Sequence, residues 1–141
     1  MTRSRVDRPR GRVRLFGGAA LAARPTTCPY LPMLLALLAD IHGNLPALDA
    51  VLADIARRGA DLTLNCGDLL SGPLWPRETA DQLMALRLPT IAGNHERQLL
   101  ACAQITGGAS DQYAFEQTTP AQRDWLAALP ARLEPAPGVV M

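Results

Sequence analysis

An α/β fold of order β-α-β-α-β with largely parallel strands is predicted by this 141-residue sequence on three observations. Apolar runs of strand length alternate with segments whose apolar residues recur at three-and-four spacing. Each of those runs ends in a polar cluster built from Gly, Asp, Asn or His. The connections between runs are long enough to hold a helix, and that order implies parallel strands joined by right-handed crossovers.

Residues 34–39 form a continuous apolar run, as expected of a strand buried on both faces of a sheet, and they end at Asp40-Ile41-His42-Gly43-Asn44. Asn44 is placed to cap the next helix and Pro46 suits its first turn. Leu45, Leu48, Val51, Leu52 and Ile55 then carry the helical spacing to Gly59. Asp61 to Cys66 reads as the second strand, running into Gly67-Asp68. The loop through Ser71, Gly72 and Pro73 leads to a helix near Pro76 to Leu86. Leu88 to Ala92 reads as the third strand and runs into Gly93-Asn94-His95-Glu96. Beyond it, His95 to Ala103 has helical character and residues 104–117 read as loop. Thr119-Pro120 caps a short helix carrying Trp125, Leu126 and Leu129, Pro130 to Pro137 returns toward another strand, and Gly138 to Met141 resembles the start of one. The three polar clusters fall at strand C-terminal ends, the edge where open α/β sheets place their ligands.

Composition bounds the partners. Residues 1–32 hold seven arginines against one acid, while residues 33–141 hold seven against twelve carboxylates, a net charge of −5 that does not indicate a nucleic-acid partner. Hydrophobic residues make up 48% of the chain, enough for a core, yet no apolar run approaches the roughly 20 residues needed to span a bilayer. Cys28, Cys66 and Cys102 are odd in number and share no metal-binding spacing, which suits a reducing cytoplasm. The basic opening, with Leu15 to Ala23 and the triplet Ala20-Leu21-Ala22, is a poor match to a secretory leader because Gly17 and Gly18 interrupt it. Met33 is the preferred natural start, and residues 1–32 are expected to be a disordered basic extension to a folded unit over residues 33–141.

Two carboxylates, imidazoles and an amide at strand ends are hard-to-borderline ligands, suited to Mn, Fe, Zn, Ni or Mg. Asp40 and His42 are two apart, so on a strand they point to one side and can share a metal. Asp68 is placed to bridge two cations and Asn94 to supply a neutral oxygen to the second. Two such metals roughly 3.5–4 Å apart can hold a hydroxide between them and clamp a phosphoryl group for in-line displacement, with no Ser or Cys nucleophile required. His95 is the candidate acid for the leaving oxygen, with Glu96 and Asp111 both available to steady it. Each motif alone has an ordinary reading as a turn or helix cap. Their joint occurrence after three successive strands favours the metal chemistry, and no G-x-G-x-x-G, P-loop or G-x-S-x-G element supports a rival. Trp75 and Trp125 are expected to be packing groups.

The order D-x-H, G-D and G-N-H-E, at these intervals, resembles the calcineurin-like metallophosphoesterase superfamily, and Asp40 to Leu52 with Gly67 to Pro73 is most similar to its small bacterial phosphodiesterases of the diadenosine-tetraphosphatase-related or Ser/Thr-phosphatase-like type. The resemblance covers residues 33–141 and implies the N-terminal portion of an α/β/β/α four-layer sandwich. It implies two divalent metal ions, with Asp40 and His42 on the first, Asp68 bridging, Asn94 on the second and His95 as catalytic acid. It also implies hydrolysis of phosphomonoesters or phosphodiesters of small molecules or nucleotides, with no membrane or nucleic-acid partner. The family continues with a His-Gly strand end and a Gly-His-x-His segment, and neither follows here, so the chain is expected to be C-terminally truncated. A non-catalytic remnant that binds a metal or a phosphate is the alternative.

Overall fold

The structure, a computed structural model, describes residues 33–141, so the extension read over residues 1–32 lies outside the described residues. The elements are β1 (Leu35–Leu38), α1 (Leu45–Arg58), β2 (Leu62–Asn65), α2 (Pro76–Leu86), α3 (Asn94–Ala101), α4 (Ala109–Gln117) and α5 (Pro120–Ala127). β1 and β2 pair in parallel, from Leu35 opposite Leu62 to Leu38 opposite Asn65, with α1 as the crossover between them. This is the mixed α/β order predicted from the sequence.

The expected third strand is reduced to one parallel bridge between Asn65 and Thr90. Its two bonds run from Asn65 N to Pro89 O at 2.9 Å and from Ile91 N to Asn65 O at 3.0 Å. Upstream, the ladder needs an amide hydrogen at position 89, and proline has none. Downstream it needs the amides of Gly67 and Gly93. These donate instead to Asn65 Oδ1 at 3.3 Å and to Glu96 Oε2 at 2.7 Å. The sheet therefore stops where the polar clusters begin.

Asn44 caps α1 by accepting from Ala47 N at 3.2 Å, and Gly59, at φ 66°, closes it in the left-handed conformation that glycine tolerates best. Arg57 and Arg58 in the last turn both pair with Asp54. Leu48 is buried, but Val51, on the same predicted stripe, is 43% exposed beside Leu37 at 65%. The core gathers Leu38 and Leu48 with Leu69, Leu70, Leu83, Leu99 and Leu126. Leu69 and Leu70 are wholly buried, and anchoring each is worth roughly 1.5–3 kcal/mol, which fixes the loop that follows Asp68.

Two segments differ from expectation. Residues 109–117, read as loop, form α4 after the extended Gly108. With only Asp111 and Ala114 buried, this helix has almost no apolar stripe to betray it in sequence. The last residues form no strand. Leu133 and Met141 exchange backbone bonds at 3.1 and 3.0 Å around a narrow turn bridged by Ala136 and Val139. α5 begins as predicted, with Thr119 Oγ1 accepting from Gln122 N and Gln122 Oε1 accepting from Thr119 N. Gln122 also ties α5 to α2, donating to Arg77 O at 3.0 Å and Asp81 Oδ1 at 2.6 Å. Trp125 packs against the core, whereas Trp75 is 45% exposed. Among the described residues no helix is long and apolar enough to cross a membrane, and Cys66 and Cys102 are free thiols.

Candidate metal centre

The three polar clusters converge at the edge where the sheet stops. His42, Asp68 and His95 each offer a ligand atom, and those atoms lie within 4.8 Å of one another. The two imidazoles meet edge to face, with ring centroids 5.0 Å apart. Asp40 is exposed and stands outside this trio, on the rim of a cavity of about 280 Å³ shared with Leu37, Asn44 and Val51. Asn94 is exposed at the first position of α3, beside His95.

Asp40 and His42 do not share a strand face. β1 ends at Leu38, and both residues take left-handed backbone conformations, with φ of 54° and 49°, so strand alternation does not govern them. Asp68 adopts the same region at φ 56°. Left-handed φ is uncommon outside glycine and persists only where surroundings over-determine it. Among the described residues, three of the four such non-glycine residues are candidate ligands.

The surroundings that enforce it are visible. His42 N donates to Asp68 O at 3.0 Å and Gly43 N to Leu69 O at 2.8 Å, so the first and second clusters are stitched by backbone. Gly67, at φ 95°, lies so near the third cluster that a Cβ there would fall 2.3 Å from Gly93 N. A Cβ on Gly93 would in turn fall 2.2 Å from Asp68 Oδ1. These two glycines are what lets the second and third clusters touch.

Each imidazole is oriented through Nδ1. His42 Nδ1 lies 2.7 Å from Ser71 O, and since a carbonyl only accepts, Nδ1 carries the hydrogen. His95 Nδ1 donates to Asp111 Oδ1 at 3.0 Å by the same reasoning. Nε2 is left on both rings as the free ligand or proton-carrying atom, the arrangement found when an outer partner fixes a metal-binding histidine. The bond to Asp111 raises the His95 pKa, opposed by burial and reinforced by the charges of Asp111, Asp68 and Glu96.

Of the two carboxylates available to steady His95, Asp111 does so. Glu96 is 2% exposed and accepts instead from three backbone amides, Asp68 N at 2.9 Å, Leu69 N at 2.8 Å and Gly93 N at 2.7 Å. Asp68 Oδ1 accepts from His95 N at 3.0 Å, and a carboxylate oxygen of Asp68 lies within 4.8 Å of a ring nitrogen of each imidazole. The donor set is thus two imidazole nitrogens and a carboxylate oxygen, which fits a borderline divalent cation. The Ser71 carbonyl had no signal in the sequence, because backbone atoms are common to every residue.

A family described as calcineurin-like phosphoesterase has a model that matches residues 33–133. An uncharacterised protein of Methanocaldococcus jannaschii is 36% identical over 67 residues, which is 48% of this chain and 28% of that protein. Among solved structures, a metallophosphoesterase from Sphaerobacter thermophilus superposes with a TM-score of 0.58 at 26% identity, covering 71% of this chain and 42% of that one. A candidate diadenosine tetraphosphatase gives a TM-score of 0.55 at 24% identity, covering 68% and 42%. The chain therefore spans less than half the length of each of these proteins.

Proposed function

Because the chain belongs to the calcineurin-like phosphoesterase family, we propose that it forms the metal-binding and proton-donating part of a site that hydrolyses phosphomonoesters or phosphodiesters of small molecules. The observation that carries this is the convergence of His42, Asp68 and His95 with both Nδ1 atoms already engaged. His42 Nε2, the Asp68 carboxylate, Asp40 and Asn94 would be the ligands of two divalent ions. Divalent cations there, when bound, supply Lewis acidity toward the phosphoryl oxygens and activation of the attacking water.

The chain's own residues supply the rest. His95, held through Nδ1 by Asp111, carries its second proton on Nε2, where it can pass to the leaving oxygen. The bond to Asp111, first among the causes, raises the His95 pKa and so favours the protonated ring. The backbone stitching between clusters fixes distances before substrate arrives, so little reorganisation accompanies reaction.

A second reading has its own support: the trio is the size of a single-cation site, and Asp40 stands outside it. On that reading the chain binds one cation without turnover. The full chain assayed with Mn²⁺ and bis-p-nitrophenyl phosphate, beside Asp68→Asn, separates the two. Metal-dependent turnover lost in the variant supports hydrolysis. Saturable Mn²⁺ binding with turnover no faster than that of Asp68→Asn leaves the single-cation reading standing and sinks the enzymatic one.

A further inference from the structure

Glu96 contributes no atom to the trio, yet it is the most enclosed carboxylate of the site, and its bonds are all to backbone. We infer that Glu96 is a positioning residue that sets the metal affinity of the site by holding Asp68; this rests on the metal-centre reading above. Oε2 takes the amides of Asp68 and Gly93, and Oε1 takes that of Leu69. Asp68 answers by accepting the amide of His95, the residue before Glu96. The two segments lock each other, each through its carboxylate on the other's backbone. Asp68 sits at φ 56°, a conformation a non-glycine residue leaves unless restrained, and Glu96 holds both amides that flank its Cα on the C-terminal side and its own. Released, the turn relaxes and the Asp68 carboxylate no longer faces His42.

Replacing Glu96 by Gln keeps the shape but turns one acceptor into a donor. The buried amide then confronts a backbone N–H that has nothing to accept it, and the Asp68 turn must shift to relieve this. Shortening to Asp keeps the charge but withdraws it by one methylene from three amides at once. Neither change touches a ligand atom.

The test measures Mn²⁺ binding by electron paramagnetic resonance on the full chain, with far-UV circular dichroism and melting in EDTA as the fold control. Glu96→Gln is expected to fold and to weaken Mn²⁺ binding about 10- to 100-fold, the range known for outer partners of metal ligands, with an altered bound-Mn²⁺ spectrum. Glu96→Asp is expected to recover part of the affinity. Gln122→Ala, which cuts the α5 to α2 tie away from the site, should lower the melting temperature and leave Mn²⁺ binding unchanged. A folded Glu96→Gln that binds within about twofold of the parent overturns the inference, since the expected change is at least about tenfold. So does loss of the fold in both Glu96 variants, which would make the residue a stability group. A parent chain without saturable Mn²⁺ binding overturns the metal-centre reading itself.

Discussion

The two sides of the site hold the same side chain by different acceptors. On the β1 side, His42 is fixed by a neutral carbonyl, Ser71 O, in a segment that stays close to its own backbone. On the α3 side, His95 is fixed by a buried carboxylate, Asp111, supplied by a separate helix. A carbonyl sets the tautomer and leaves Nε2 as a lone pair for a metal. A carboxylate does that and also favours the imidazolium, so the ring is suited to carry a proton. On the proposed function, that difference would give ligand duty to one ring and acid duty to its twin 5.0 Å away.

Exchanging the two histidines for residues that do neither job is the severest way to break this contrast. His95→Ala should lower turnover of bis-p-nitrophenyl phosphate by about 10²- to 10⁴-fold while Mn²⁺ affinity changes little, as expected for loss of a general acid. If it abolishes Mn²⁺ binding instead, His95 is a ligand and the two sides are equivalent. His42→Ala should do the reverse, weakening Mn²⁺ binding by about 100-fold or more, since removing a ligand costs at least as much as removing its outer partner. Calorimetric titration of both variants side by side decides the point.

A smaller effect reads the carboxylate alone. His95 has a pKa raised above its ordinary 6.5, first through its bond to Asp111, so the folded chain binds that proton more tightly than the unfolded one. The stabilisation is complete below the unfolded value and is lost as pH rises through the folded value. In EDTA the melting temperature should therefore climb as pH falls from about 8 to about 6, and Asp111→Asn should flatten that slope. A slope that survives in Asp111→Asn removes the carboxylate from the account. The mildest variant lies next to the β1 side: Asn44→Ala removes the cap of α1 and should cost about 1 kcal/mol of stability with Mn²⁺ affinity intact. A change in affinity would mean that the His42 segment depends on α1 for its shape.

Much of this site was legible because glycine, aspartate and histidine after apolar runs are a local signal. Asp68 and His95 could be located from sequence because each follows a run that ends at the sheet edge. The helices α1 and α5 were legible from their caps and spacing, and α2 as the segment that follows the loop through Ser71, Gly72 and Pro73. What could not be read was long-range or backbone-borne. The third strand fails as a ladder because the amides of Gly67 and Gly93 are diverted into side chains, a competition no propensity encodes. α4 escaped because its buried face is Asp111 and Ala114 rather than a row of leucines. Asp111 was visible as a candidate partner, but its choice over Glu96 depends on where that unpredicted helix comes to rest. The strand logic linking Asp40 and His42 failed for a local reason, the left-handed turn taken by both.

The bonds that build the site join residues far apart along the chain: His42 to Ser71 across 29 positions, and Asp68 to Glu96 and His95 across 28 and 27. Each closes a loop whose entropy is lost before the bond is gained, whereas the turns of α1 and α2 need only their neighbours. The centre is accordingly expected to form late in folding. In a refolding experiment, helical signal should return first and Mn²⁺ affinity last, which makes the captured ion a clock for the moment the segments carrying His42, Asp68 and His95 close on one another.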